Sequence, residues 1–245
     1  MITISPGHWR VGSGACDLID EVTEARKVVN RVIEYLRSAK IAVNHIEDNS
    51  STNQQQNLKY LVTEHNKTNR KLDVSVHFNA AARSTRGLGV EVLYYDQKEL
   101  ANNVSKAISD VSGLINRGAK ERKELAFLNG TEKPAILIEV CFVSSEVDVA
   151  LYRRDFDKIC RAIANELAVY VGVNIGEGEK QLNFTSTTLK EKYEERIISP
   201  TTAKLIDDTA VEVLGYKTKL INGRLADGDL ISTAIELAVH FAKQK

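Results

Sequence analysis

Short apolar, β-branched runs alternate with amphipathic helical stripes from residue 2 to about residue 172, and few architectures tolerate that rhythm. Residues 2–4 stop at Pro6 and Gly7, which reads as a strand ending in a turn. Ala25, Val28, Val29, Val32, Ile33 and Leu36 recur at spacings of three and four, the period of a helix with one buried face. Residues 41–46 predict the next strand, and Ser51 and Thr52 predict the cap of a polar helix ending near Asn69. Residues 72–78 (LDVSVHF) and 89–95 (GVEVLYY) alternate as strands, residues 100–111 are helical, residues 135–143 (AILIEVCFV) form a strongly apolar strand, and residues 156–171 close with a helix. Together these predict an α/β fold: an open, mostly parallel twisted sheet with helices on both faces. In such sheets, functional residues gather where the strands end, usually at the carboxyl edge.

After residue 172 the rhythm stops. Residues 1–175 read as one domain, the glycine-rich stretch 176–183 as a linker, and residues 184–245 as a small, mainly helical second domain. Helical patterns fall at 189–198, 202–214 and 229–242, with a turn or hairpin expected at Asn222 and Gly223.

Composition removes several classes. Thirty-three basic and thirty-three acidic residues balance, which argues against a nucleic-acid partner recruited by bulk charge. No apolar run reaches the roughly 18–20 residues of a membrane span, so no membrane insertion is expected, and no export signal is visible. The three cysteines, Cys16, Cys141 and Cys160, lack metal-pair spacing, and the last two sit in apolar contexts expected in a core. These features fit a chain made in a reducing cytosol.

Four polar residues stand out by position. His8 follows the first strand and its turn, and His77 ends residues 72–78. Glu139 lies among Ala135, Ile136, Ile138, Val140 and Phe142, where an unpaired carboxylate is costly. It either faces out at a sheet edge or sits in a poorly solvated cleft with a raised pKa, suited to act as base or acid. Two neutral imidazoles and one carboxylate suffice for a zinc ion that keeps a fourth position for water, whose pKa falls to about 7. Glu21 and Glu24 both compete to supply that carboxylate. Glu21 continues the buried stripe 25, 28, 32, 36, whereas Glu24 shares its side with Arg31. His45, His65 and His240 sit in polar positions without a partner motif and read as structural.

Taken in order, Pro6-Gly7-His8, Asp20-Glu21-Val22, residues 75–80 (SVHFNA) and residues 134–140 (PAILIEV) resemble the zinc-dependent N-acetylmuramoyl-L-alanine amidases, above all those that phages use as endolysins against Gram-positive walls. Residues 87–95 and 116–120 (NRGAK) resemble further family segments, and the resemblance covers residues 1–172. It implies that His8, Glu21 and His77 bind one zinc ion and that Glu139 is the catalytic carboxylate. The implied reaction is hydrolysis of the amide between N-acetylmuramic acid and the L-alanine of the stem peptide, with Glu139 moving the proton from water to the departing amine. Many relatives carry glycines after the first histidine; here Trp9 and Arg10 follow His8, which leaves the shape of the cleft open.

The resemblance makes peptidoglycan the expected partner. Trp9 either stacks on a sugar or covers the site, and Asn79 and Arg117 either contact the substrate or belong to ordinary loops; the basic run 120–123 reads as a solvated loop. A thiol mechanism through Cys141 is the chemical alternative, since two-residue spacing puts Cys141 on the strand face of Glu139. The second domain reads by position as a wall-binding module. A stripe of Ile231, Ala234, Ile235, Ala238 and Phe241 equally suits stabilisation or oligomerisation. The expectation is a cytoplasmic lysin released to the wall, through a holin if of phage origin. A host autolysin, a wall-binding protein with an inert catalytic domain and another zinc hydrolase are the alternatives.

Overall fold

The computed structural model describes residues 1–174 together with the backbone of Leu220–Ile221 and Arg224–Leu225. The first 170 residues run β1 (Ile2–Pro6), α1 (Glu21–Ser38), β2 (Val43–His45), α2 (Gln54–Asn66), β3 (Leu72–Asn79), β4 (Val90–Tyr94), α3 (Lys98–Ser112), β5 (Asn116–Glu121), α4 (Ala126–Gly130), β6 (Ala135–Phe142) and α5 (Glu146–Tyr170). The chain divides into two compact units, Met1–Gly178 and Glu179–Lys245. In the second, β7 (Leu220–Ile221) and β8 (Arg224–Leu225) pair antiparallel. The predicted turn at Asn222, the helices at 189–198, 202–214 and 229–242, and the stripe ending at Phe241 lie outside the described residues.

Six strands form one sheet in the order β2-β1-β3-β6-β4-β5. The pairs β1–β2, β1–β3 and β3–β6 are parallel, whereas β4 runs antiparallel to β6 and carries β5 parallel beside it. The fold is therefore the expected mostly parallel α/β sheet, with one antiparallel junction in the interior. Helices cover both faces: α1 and α3 pack on α5, and α2 packs on α4.

The main core lies under α1, α3 and α5. It takes the helical stripe from Ala25 to Leu36 together with Ile2, Ile4, Val74, Val76, Ile136 and Ile138 from the central strands. The opposite face is mixed. Leu93, Leu137, Phe127 and Leu128 make a small apolar cluster there, next to the buried polar residues Thr3, Ser5, Asp73 and Ser75. That polar strip runs up β1 and β3 and ends at His77, so the sheet changes from apolar to chemical along one face.

Several elements differ from the sequence expectation. Helix α2 is capped by Asn53, whose side chain accepts from Gln56 N, rather than by Ser51 or Thr52, and it ends at Asn66. Helix α5 begins ten residues before the predicted 156, at the Ser145 cap, and is interrupted by non-helical backbone at Asp155. That break in geometry is why the apolar period is legible only beyond it. Strand β5 (Asn116–Glu121) takes in the start of the run 120–123, expected as a loop. It is an edge strand of largely exposed polar residues, so no apolar alternation marks it. No helix among the described residues is long and apolar enough to cross a membrane.

Candidate active site

The carboxyl ends of β1 and β3 deliver His8 and His77 to one place, and the first turn of α1 delivers Glu21 between them. Asp20 caps α1, accepting from Thr23 N at 2.8 Å and from Gly12 N at 2.9 Å, which ties the loop after His8 to the helix start. Glu21 is buried, and its carboxylate is fully engaged. One oxygen accepts from His77 Nδ1 at 2.9 Å and Phe78 N at 3.1 Å. The other accepts from Ala15 N at 2.7 Å and lies 3.0 Å from His8 Nε2. Burial pushes the Glu21 pKa up, but hydrogen bonds and charge from His77 and His8 outweigh it and hold the carboxylate well below its usual range. Glu24, the rival carboxylate, turns away to Tyr152 Oη at 2.9 Å and Lys27 Nζ at 2.8 Å.

Backbone and space both show that this convergence is built. His8 adopts φ +62°, a left-handed conformation that costs a non-glycine residue about 1–2 kcal/mol and persists where its surroundings impose it. Two glycines make room for the ligands. A Cβ on Gly7 would stand 2.0 Å from His77 Cε1, and one on Gly14 would stand 2.6 Å from a Glu21 oxygen and 2.7 Å from His8 Cδ2. Donor atoms of His8, Glu21 and His77 all lie within 4.8 Å of one another, so the cluster can hold a metal ion. Two imidazoles and a carboxylate, in a cradle that one extra methyl would fill, fit a divalent cation such as zinc.

Glu139 stands on β6 directly opposite His77 of β3 and, on its other side, opposite Glu91 of β4. Its Oε2 is buried without a hydrogen-bond partner. Burial, with the charges of Glu21 and Glu91 behind it and Arg122 opposing, pushes its pKa up to about 8. Glu139 therefore lies on an interior strand between β3 and β4 and not at a sheet edge.

Glu91 was not singled out from the sequence, although it carries the same signal as Glu139: a carboxylate among Val90, Val92 and Leu93. It accepts from Asn79 Nδ2 at 2.8 Å and pairs with Arg117 Nε at 2.6 Å, while the Arg117 guanidinium lies 5.1 Å over the Phe142 ring. Asn79 and Arg117 are therefore brought together beside Glu139, neither as a free loop residue. Trp9 is 8% exposed, which favours the covering role over an open sugar platform.

One sequence reading needs correction. The register shifts between His77 and Asn79, so that three steps along β6 match two along β3. This bulge turns Cys141 away from Glu139 and into the main core, fully buried. Burial, followed by the charges of Asp148, Glu24 and Glu139, pushes its thiol pKa well up, contrary to what a nucleophile needs. His65 has the structural role read for it: it is fully buried, with Nδ1 2.7 Å from Asp73 Oδ1 and Nε2 3.1 Å from Ser5 Oγ. Arg70 completes that network on Asp73 at 2.7 Å.

Residues 2–168 match the family described as N-acetylmuramoyl-L-alanine amidase. This chain belongs to that family. An uncharacterized 38.4 kDa protein of Clostridium perfringens is 34% identical over 193 residues, covering 76% of this chain and 56% of its own length. This chain therefore spans little more than half of that relative. Among solved structures, the catalytic domain of the CD27L endolysin targeting Clostridia Difficile is 25% identical with a TM-score of 0.63, covering 71% of this chain and 98% of that one. The catalytic domain of CwlV, an N-acetylmuramoyl-L-alanine amidase from Bacillus (Paenibacillus) polymyxa, is 26% identical with a TM-score of 0.59, covering 71% of this chain and 99% of that one. The likeness to these amidase structures accounts for the six-stranded, mostly parallel sheet.

Proposed function

We propose that this chain hydrolyses the amide between N-acetylmuramic acid and the L-alanine of the peptidoglycan stem peptide, with zinc held by His8, Glu21 and His77. The observation that carries the reading is the position of Glu139: a carboxylate with one unpartnered buried oxygen, directly across the β3–β6 ladder from a candidate metal ligand. A bound zinc ion supplies a more acidic water and a polarised carbonyl. Glu139 takes the proton from the attacking water and passes it to the departing alanine amine, a role open to a carboxyl group with an oxygen that no protein donor engages. Glu21 lies between the two imidazoles, so its carboxylate and their ring nitrogens can face one ion. Glu91 fixes Asn79 and Arg117 along the flank of the cleft, where their free donors meet the peptide or glycan.

The likeness to the CD27L endolysin catalytic domain supports a lysin that reaches the wall after synthesis in the cytoplasm. The likeness to CwlV supports the same chemistry in a host autolysin. For the wall-binding alternative, an intact ligand set beside Glu139 would be surplus. Residues 184–245 serve as the wall-targeting module after a 176–183 linker. Deleting 181–245 then removes wall binding and leaves a folded, metal-loaded core, whereas a purely stabilising role lowers the melting temperature instead.

The test is treatment of purified Gram-positive walls with the protein before and after a chelator. The reading requires activity to vanish, to return with zinc, and to release new L-alanine amino termini. Termini of another residue would assign a peptidase, and free acetate a deacetylase. Activity that survives metal removal would end the zinc assignment.

A further inference from the structure

The left-handed backbone of His8 raises the question of what holds it. Its imidazole is held by Glu21, but a side-chain contact alone does not stop the peptide from relaxing to an ordinary conformation. The main chain around it is gripped from the other direction by residues absent from the donor set. Asn57 of α2 is buried, and its Nδ2 donates to the His8 carbonyl at 3.1 Å and to Asp48 Oδ2 at 2.9 Å. Arg26 of α1 donates through Nη2 to the Trp9 carbonyl at 3.0 Å, to the Asp48 carbonyl at 3.2 Å and to Asn49 Oδ1 at 2.8 Å.

Asp48 joins the two arms. Fully buried, it accepts through Oδ1 from Ser50 N at 2.8 Å and Ser51 N at 3.1 Å, so the loop between β2 and α2 is itself fixed. Two consecutive carbonyls, those of His8 and Trp9, are thus tied to two different helices through one buried aspartate. On the near side, Gly7 N donates to Val76 O at 2.8 Å, anchoring the residue before His8 to β3.

We propose that Asn57 and Arg26, joined through Asp48, are positioning residues for a divalent metal. They hold the His8–Trp9 peptides in the left-handed turn that aims the His8 imidazole at Glu21 and His77. The proposal rests on the reading of His8, Glu21 and His77 as metal ligands, and it adds residues that touch neither metal nor substrate. The reason is geometric. His8 is the only one of the three donors in a disfavoured backbone conformation, so it is the one whose aim depends on main-chain restraint. Removing either donor frees a carbonyl, lets φ of His8 return toward negative values, and swings the imidazole out of the cluster. Side chains that orient a metal ligand in this way typically change metal affinity about 10- to 100-fold when removed.

The experiment measures zinc affinity of the full chain at 25 °C by competition with a chromogenic chelator, for the wild type, Asn57→Ala, Arg26→Ala and Leu61→Ala, with a melting curve for each. Leu61 is buried one turn along α2 from Asn57 and makes no polar contact with the turn, so its truncation reports destabilisation alone. The expected result is a loss of affinity of about tenfold or more in Asn57→Ala and Arg26→Ala. Leu61→Ala should melt earlier yet bind zinc like the wild type. Arg26 is partly exposed, so its variant tests the idea even where Asn57→Ala does not fold. Wild-type affinity in the folded clamp variants, or an equal loss in Leu61→Ala, overturns the proposal while leaving the metal reading intact. A wild type that binds no zinc removes the metal reading itself, and the clamp with it.

Discussion

Replacing Gly7 with alanine would set a methyl carbon 2.0 Å from His77 Cε1 and 2.4 Å from both ring nitrogens. Carbon contacts are comfortable near 3.5 Å, so the ring has to move by about 1.5 Å, more than a rotamer adjusts in place. His77 has no slack for that movement: its Nδ1 bonds Glu21 at 2.9 Å, and its strand is paired on both sides. A misplacement of about 1 Å at a reacting centre costs on the order of a hundredfold in rate, and a displaced ligand also weakens the metal. Gly7→Ala should therefore lower turnover at least about a hundredfold with reduced zinc occupancy, while circular dichroism stays native, because the Gly7 N–H bond to Val76 survives the change. Gly12→Ala is the matched control. Gly12 has φ +78° and no atom within 4 Å of its would-be Cβ, so alanine there costs about 1 kcal/mol of strain and leaves turnover untouched. A Gly7→Ala protein with full metal content and wild-type turnover would refute the packing argument.

Cys141→Ser tests the core assignment of the thiol. It should lose about 1–3 kcal/mol of stability in denaturant titration through a buried, poorly satisfied hydroxyl, yet keep most activity; loss of activity in a folded variant would return the thiol mechanism. Asp48 gives a pH signature. Burial pushes its pKa up, but hydrogen bonds from Asn57, Ser51 and Ser50 outweigh it and bring the value from 3.8 to about 2. A depressed carboxylate pKa stabilises the fold above its unfolded value and loses that contribution as pH falls. About 2 kcal/mol should thus be fully present above about pH 4 and vanish toward pH 2. Melting curves of Asp48→Asn should lie below the wild type at neutral pH and converge with it in acid; a constant gap would contradict the assignment.

How much of this was legible in the sequence depended on whether a residue's partners were local. The α1 stripe and the central strands were plain, because burial of one face imposes its period directly on the chain. His8, His77 and Glu139 were legible as chemistry at strand ends or in an apolar run. Helix α2 was only half legible: its buried positions Asn57, Leu61 and His65 recur every four residues, but two of the three are polar and find their partners at His8, Asp48, Asp73 and Ser5. An apolar pattern cannot report a face buried by hydrogen bonds. The β6 bulge was hidden for a related reason, since strand parity is exact only while the register is unbroken, and that break is set by pairing with β3, some sixty residues away. Glu91 carries the same local signal as Glu139, a carboxylate inside an apolar strand, and is legible on that ground alone.

The central claim is that His8, Glu21 and His77 hold the metal and Glu139 moves the proton. The most direct measurement is loss of turbidity of Gram-positive walls with the wild type and Glu139→Ala, with zinc content assayed on both. The account predicts one zinc in each protein and activity in the wild type alone. An active Glu139→Ala protein, or a wild type active without metal, would contradict it.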